Sequence, residues 1–168
     1  IEDEDGTKLP LADKGMGAIQ MMILLLRLAT IMHIAKSNKS ATTTVVIEEP
    51  EQNLHPKMQS LLADLLQSIA TSNEYNVNFI IETHSEYLIR KSQVLVANAN
   101  YVDDKDIEEN CPFTVYYLPA DAGEPYKMHY KTTGGFVEKF GTGFFDAATE
   151  SDMVVIRKEF ELKKKNRK

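Results

Sequence analysis

The first hundred positions alternate between apolar residues at helical spacing and short unbroken apolar runs. The unbroken β-branched and aliphatic runs at 43–47 and 77–81 predict two strands buried on both faces. Helical spacing predicts three helices, over about 15–36, 56–70 and 85–97. Because helices and strands alternate, we expect a parallel sheet with flanking helices and right-handed crossovers.

Residues suited to helix starts stand where the three predicted helices begin. Asp13 is expected to cap the first helix and Ser85 the third, since both side chains can accept a backbone N–H. Pro56 suits the first turn of the second helix, where its missing N–H has no intrahelical partner to lose. These signals agree with the apolar spacing on where each helix begins.

After the third helix the pattern changes. Runs rich in aromatic and β-branched residues at 113–118 and 126–130 predict two strands joined by a turn that contains glycine and proline. A last helix is predicted over about 147–165. We therefore expect two parts, an α/β part over 1–97 and a small α+β extension over 98–168.

Composition and charge suit one soluble domain. The 168 residues carry a net charge of −6 and a single cysteine, which argues against a basic nucleic-acid-binding surface and against a disulfide framework. Polar residues interrupt the apolar stretch at 16–34, whereas a membrane-spanning helix needs about 20 predominantly apolar residues. We expect a buried core helix there, no membrane contact and a cytoplasmic location.

Two carboxylates and an imidazole follow the two predicted strands. Glu48 and Glu49 come directly after the first strand, and His84 comes shortly after the second. Ligands bind at the carboxyl ends of parallel strands, so these side chains are expected to meet at one site. One carboxylate can hold Mg²⁺, directly or through a water. The other can orient and polarise an attacking water, and His84 can donate to a phosphate oxygen.

Two glycines at the start of the first helix are a third feature. Gly15 and Gly17 leave backbone N–H groups that can cradle a phosphate. Two glycines at this spacing are common by chance. Their value lies in their position ahead of the two strand ends.

These three features, in this order, resemble the C-terminal half of an ABC-type ATPase head of the RecF/SMC-like and OLD-like group. Residues 15–20 resemble the signature motif, 45–50 the Walker B strand, 51–56 the D-loop and 81–85 the switch-histidine loop. Residues 98–160 more loosely resemble the C-terminal extension of bacterial ATPases of this group. Some of these are ATPase subunits of anti-phage systems such as Septu, which work beside an HNH nuclease.

The resemblance implies a P-loop NTPase-like fold with ATP and Mg²⁺ as cofactors. It implies that Glu48 holds Mg²⁺, that Glu49 is the catalytic base and that His84 is the switch histidine. The nucleotide-binding residues it implies are Lys14, Gly15, Gly17, Gln20 and His55. It also implies a head-to-tail homodimer closed on ATP, with a nuclease subunit and DNA as expected partners.

The sequence departs from the family pattern in two places. The Walker A pattern Gly-x-x-x-x-Gly-Lys-Ser/Thr does not occur in the 168 residues. We expect it upstream of Ile1 or on a separate polypeptide, so that the longer parent is an ATPase and this chain alone is inactive. Asp13 and Lys14 replace the serine of the signature motif, and Lys14 is a candidate cation for the γ-phosphate of a partner head.

Two other classes of function remain open at this point. The first is a metal-dependent hydrolase that uses carboxylates and imidazoles directly as ligands, the candidates being Glu48, Glu49, Glu51, His55 and His84. The second is an interaction module that keeps the fold and dimerises or docks a nuclease without turnover.

Overall fold

The computed structural model describes residues 6, 15–38, 40–120, 123–141 and 144–145. Within these ranges the elements are, in chain order, α1 Met16–Ser37, β1 Thr43–Glu48, α2 Pro56–Ala70, β2 Val77–Glu82, α3 Glu86–Asn98, α4 Asp104–Asn110, β3 Val115–Tyr117 and β4 Tyr126–Met128. The predicted last helix over 147–165 and the residues Asp13 and Lys14 lie outside the described ranges.

The first two strands form a parallel pair. Thr43 lies opposite Val77, and the register continues to Glu48 opposite Glu82. Helix α2 connects them and packs against β2 and α3. The predicted parallel, helix-flanked arrangement is therefore confirmed for the described part of the chain, as a sheet of two strands. Its register brings the carboxyl ends of both strands to the same edge.

One face of this sheet is covered and the other is bare. The covered face contributes Val45, Ile47, Phe79 and Ile81 to the main hydrophobic cluster. That cluster is built on buried residues of the helices, the turn and β2, namely Leu28, Ala35, Leu54, Leu62, Ala63, Leu66, Ile69, Val77 and Leu88.

On the opposite face of the sheet, Val46 is 67% exposed and Ile80 is 59% exposed. The prediction that both strands are buried on both faces is therefore wrong for the described residues. Unbroken apolar runs indicate which residues can be buried, but the layers that are present decide which faces are covered.

Helix α1 is far less buried than its composition predicts. Only Leu28 and Ala35 of this helix are buried. The side chains of Leu26 and Ile34 are about as exposed as that of Ile80 on the bare face of the sheet. By length and composition alone α1 could cross a membrane, a test that core helices of soluble proteins also pass. The expectation of a buried core helix is thus wrong in the described part of the chain, because α1 contacts the core along a narrow stripe only.

The helix starts match the predicted signals in two of three cases. Ser85 caps α3 by accepting the N–H of Leu88, and Pro56 stands in the first turn of α2. The N-cap of α1, however, is Gly15, with φ +85° and no side-chain cap hydrogen bond. Asp13, the predicted cap, lies outside the described ranges, and within them a left-handed glycine precedes the first helical residue.

The extension holds one helix that the sequence pattern did not reveal. Helix α4 contains mainly charged residues, and Ile107 is its buried residue, so it has no apolar periodicity to detect. Asp103 caps it by accepting the N–H of Asp106. Strands β3 and β4 form within the two predicted segments, and they pair antiparallel over three residues each. They are shorter than the predicted strands.

Helix α3 joins the two parts. Leu88 belongs to the main cluster, whereas Val96 packs with Ile107 and Tyr130 in a second cluster. The Tyr130 hydroxyl is hydrogen-bonded to the buried Ser92 at 2.7 Å, and burial raises the pKa of this phenol. The predicted boundary at 97/98 stays a prediction, but the last turns of α3 pack with the extension.

Candidate functional site

The carboxyl ends of β1 and β2 carry the candidate chemistry. Glu48 and Glu82 end the two strands and lie opposite each other in the register. The N–H of Glu49 donates to the carbonyl of Glu82 at 3.0 Å, which extends the ladder by one residue. Glu49 then adopts φ +42°, which is uncommon for a residue with a β-carbon. This turn takes the chain out of the strand at the residue predicted to be the base.

Glu49, Glu82 and His84 form a cluster at this edge. His84 Nε2 lies 3.1 Å from Glu82 Oε1 and 3.5 Å from Glu49 Oε1. One ligand atom from each of the three residues lies within 4.8 Å of the other two. All three side chains are open to solvent, His84 being 75% exposed. We call this group the strand-end cluster.

The turn over residues 49–54 connects this cluster to α1. Gln52 Nε2 donates to Glu49 Oε2 at 3.3 Å. Asn53 Nδ2 donates to Gln20 Oε1 at 3.1 Å, and the amides of Gln20 and Gln52 are 3.5 Å apart. The carboxylate of Glu49 is thus linked through side-chain amides to the first turns of α1.

The two glycines at the start of α1 have different structural reasons to be glycine. Gly15 needs its positive φ, and a β-carbon there would meet open space. A β-carbon on Gly17 would overlap the backbone carbonyl of Asn53. Close packing of helix and turn therefore accounts for Gly17 without a phosphate, and the phosphate-cradling role of both glycines stays a prediction.

Glu51 is the functional candidate whose position could not be predicted. It is 8% exposed, and its Oε1 accepts the backbone N–H of His84 at 2.8 Å. Its Oε2 is buried and has no hydrogen-bond partner among the described residues. A glutamate in a polar turn normally lies at the surface, so no sequence signal indicated its burial.

The remaining predicted site residues are placed as follows. His55 is the N-cap of α2, and its Nδ1 accepts the N–H of Lys57 at 3.3 Å. Glu48 lies next to Glu49 but is not part of the strand-end cluster, and Lys14 is outside the described residues. Glu82, for which sequence analysis gave no role, joins Glu49 and His84. The signal that could have identified it is its place as the last residue of the second strand.

The site is strongly acidic. Glu48, Glu49, Glu51 and Glu82 lie at or beside the strand ends, and in the described part of the chain no Lys or Arg forms a salt bridge with them. Carboxylate oxygens suit Mg²⁺, and the neighbouring imidazole nitrogen also suits a transition metal. A triphosphate would be repelled here unless a bound cation offset the carboxylates.

Comparison with known proteins places these residues in a wider context. A family model described as an AAA ATPase domain matches residues 1–89. The chain is 31% identical over 114 residues to Endonuclease GajA of Bacillus cereus (strain HuB5-5). That alignment covers 61% of this chain and 17% of GajA, so the chain spans less than a fifth of the length of that relative. No solved structure matches the chain.

Proposed function

The chain belongs to the AAA ATPase domain family, and on this premise we propose that it supplies the hydrolytic side of an ATP site. Glu49 is the base that orients the attacking water, and His84 donates a hydrogen bond to an oxygen of the γ-phosphate that is transferred to this water. The observation that carries the proposal is the 3.5 Å separation of Glu49 Oε1 and His84 Nε2 at the carboxyl ends of two parallel strands.

The neighbours of Glu49 and His84 support these roles. The amide of Gln52 donates to one oxygen of Glu49, which leaves the other oxygen directed at His84. Glu82 Oε1 lies 3.1 Å from the same imidazole nitrogen, and a neighbouring carboxylate favours one orientation of an imidazole ring. A base and a donor are thus held side by side, as transfer of a phosphoryl group to water requires.

Mg²⁺ is the cofactor whose charge this acidic site needs. In the proposal Glu48 holds it, directly or through a water, because its carboxylate ends β1 beside the base. When bound, Mg²⁺ neutralises the negative charge that develops on the phosphate oxygens. Among the described residues, acidic groups outnumber cationic ones at this edge, so a bound cation is needed before a triphosphate can approach.

Residues at the starts of α1 and α2 complete the proposal. Lys14, Gly15, Gly17, Gln20 and His55 are assigned to nucleotide contacts, with Lys14 reaching the γ-phosphate of a second head. The role of Lys14 is tested with a Lys14→Ala variant of the full-length protein. Retention of both ATP turnover and dimerisation in this variant would disprove that role.

The partners we propose are a second copy of the chain, a nuclease activity and DNA. The nuclease activity and DNA are suggested by the similarity to a protein named as an endonuclease, and the second copy by the resemblance to ATPase heads that dimerise. ATP-dependent dimerisation of the full-length protein, followed by light scattering, tests the first partner. Cleavage of a DNA panel with and without ATP tests the other two.

The base assignment is tested by steady-state ATPase assays on the full-length protein. Glu49→Gln is expected to lower kcat by at least about a hundredfold, the usual contribution of a general base, while ATP binding persists. Glu108→Gln is the matched control, since Glu108 is exposed on α4 in the extension. Unchanged turnover in Glu49→Gln would disprove the assignment of Glu49 as the base.

A metal-dependent hydrolase is the second candidate, and the strand-end cluster favours it. Glu49, Glu82 and His84 offer two oxygens and one nitrogen within 4.8 Å, a donor set that suits Mn²⁺ or Zn²⁺. Of the five ligands suggested by the sequence, this group contains only Glu49 and His84. Calorimetric titration with Mn²⁺ and Zn²⁺ in the absence of nucleotide tests it. Micromolar binding of either metal that is abolished in Glu82→Gln would favour the hydrolase. Absence of metal binding by the wild-type protein would exclude this candidate.

A further inference from the structure

The carboxylate of Glu51 is the least expected polar group near the site. It is about nine-tenths buried, although a glutamate is almost never buried without a partner. One oxygen accepts the backbone N–H of His84 at 2.8 Å, and the other is buried with no hydrogen-bond partner among the described residues. Burying a polar group without a hydrogen bond is costly, so the unpartnered oxygen is a feature that stability alone does not favour.

The bond from Glu51 fixes one end of the loop that carries His84. This loop, residues 83–85, is held at a second point by Gln59. The side-chain oxygen of Gln59 accepts from the Ser85 hydroxyl, and its Nε2 donates to the carbonyl of Leu54 at 2.9 Å. Both anchors lead to the turn over residues 49–54, so the loop and the turn are tied together at two places.

Glu51 shares this turn with Glu49. The turn is closed by the N–H of Gln52 donating to the carbonyl of Glu49 at 3.0 Å, and by the N–H of Leu54 donating to the carbonyl of Glu51 at 3.0 Å. One short segment therefore presents the carboxylate of Glu49 and also holds the backbone of His84. The positions of both groups therefore depend on the same short segment.

We infer that Glu51 is a positioning residue, which sets the separation of His84 from Glu49 by binding the main chain of His84. The inference rests on the proposed ATPase function, in which these two side chains act on the same phosphoryl transfer. The 2.8 Å separation of His84 N and Glu51 Oε1 is that of a well-formed N–H···O hydrogen bond. Glu51 itself does not touch the reacting atoms in this role.

Steady-state kinetics of the full-length protein test the inference. Glu51→Ala is expected to lower kcat about tenfold or more with little change in KM for ATP, because a small misplacement of a reacting group is costly. Glu51→Gln keeps an acceptor for the His84 N–H and is expected to restore most of kcat. Ser92→Ala is the control, since it removes a different buried hydrogen bond, to Tyr130 in the extension.

The kinetic outcomes divide clearly. A wild-type kcat in Glu51→Ala would overturn the positioning role. The role would also be overturned if Glu51→Gln and Ser92→Ala each lost as much kcat as Glu51→Ala. Loss in Glu51→Ala with recovery in Glu51→Gln would support it. Absence of hydrolysis by the wild-type protein would instead overturn the proposed function.

Amide hydrogen exchange at His84 tests the positioning contact without ATP. Exchange of the His84 N–H is expected to become about fivefold faster or more in Glu51→Ala, as the loss of one hydrogen bond predicts, and to stay slow in Glu51→Gln. The N–H of Leu88, bound to the Ser85 hydroxyl at 3.1 Å, is the internal reference and should not change. An unchanged His84 rate in Glu51→Ala overturns the inference whatever the ATPase assays show.

Discussion

Gly17, near the start of α1, lies directly against the main-chain carbonyl of Asn53 in the turn that follows β1. A β-carbon on Gly17 would overlap this carbonyl oxygen. Asn53 itself has φ +59°, and its side chain donates to Gln20 one turn further along the helix. The approach of these two backbones therefore sets how the start of α1 meets the strand ends, which is where the candidate chemistry lies.

Gly17→Ala is expected to destabilise the fold. The new methyl group meets backbone, which cannot move aside as a flexible side chain can, and overpacking of this kind costs about 1–3 kcal/mol. Urea unfolding followed by circular dichroism measures the change. Gly135→Ala is the control, because the nearest atom to its β-carbon is 3.7 Å away. Equal stability of the two variants would contradict the close contact.

Val46→Thr and Val77→Thr are a matched pair on the two-stranded sheet. Val46 is 67% exposed and Val77 is 2% exposed. The first change is expected to alter the free energy of unfolding by less than about 0.5 kcal/mol. The second is expected to cost about 1–3 kcal/mol, because a hydroxyl is buried. Thermal unfolding of both variants measures the difference, and a costly Val46→Thr would show that the second face of the sheet is covered.

Ser85→Ala is expected to destabilise the start of α3 by about 1 kcal/mol, the usual cost of losing a helix cap. Ser85 is buried and its hydroxyl oxygen accepts the N–H of Leu88. Thr71→Ala removes an exposed hydroxyl that donates to the carbonyl of Gln67, and should change stability by less than about 0.5 kcal/mol. Chemical denaturation of both variants checks the order, and a reversed order would contradict the capping role.

Glu138 should make the extension acid-sensitive. The backbone N–H of His129 donates to its carboxylate at 2.6 Å and holds the pKa of that carboxyl below its ordinary value of 4.5. The pKa of Glu138 is lower in the folded state than its ordinary value of 4.5. The stabilisation is therefore fully present above pH 4.5 and is lost as the pH falls through the lower pKa of the folded state. Carboxyl chemical shifts measured by NMR across this range report the shifted titration. A Glu138→Gln variant should show a flatter dependence of stability on pH, and an unshifted titration would contradict the contact.

Much of the first part of the chain could be predicted from local pattern. The starts of α2 and α3 and the parallel pairing of β1 with β2 follow from apolar spacing, Pro56 and Ser85. The meeting of Glu49 and His84 at one edge follows from the rule that parallel strands end together. These features depend on residues near one another in sequence or on a general property of parallel sheets.

Other features depend on tertiary contacts between residues that are distant in sequence. Sequence pattern did not indicate that Glu82 would join His84, that His55 would cap α2, or that α4 would form from a charged segment. Nor did it show that α1 would stay largely exposed. Each depends on the layers and backbones that surround the residue in the described part of the chain.

The sequence by itself determined the order of the elements and the residue types at the strand ends, because hydrophobic periodicity and capping act over one or two turns of chain. Only the tertiary structure decided which carboxylates lie together. Glu48, Glu49 and Glu51 are nearly adjacent in sequence, yet one ends a strand, one faces an imidazole and one is buried beneath the His84 loop. The turn at Glu49, with its positive φ, separates them, and the direction of a side chain after such a turn depends on the partners that the folded chain brings to it.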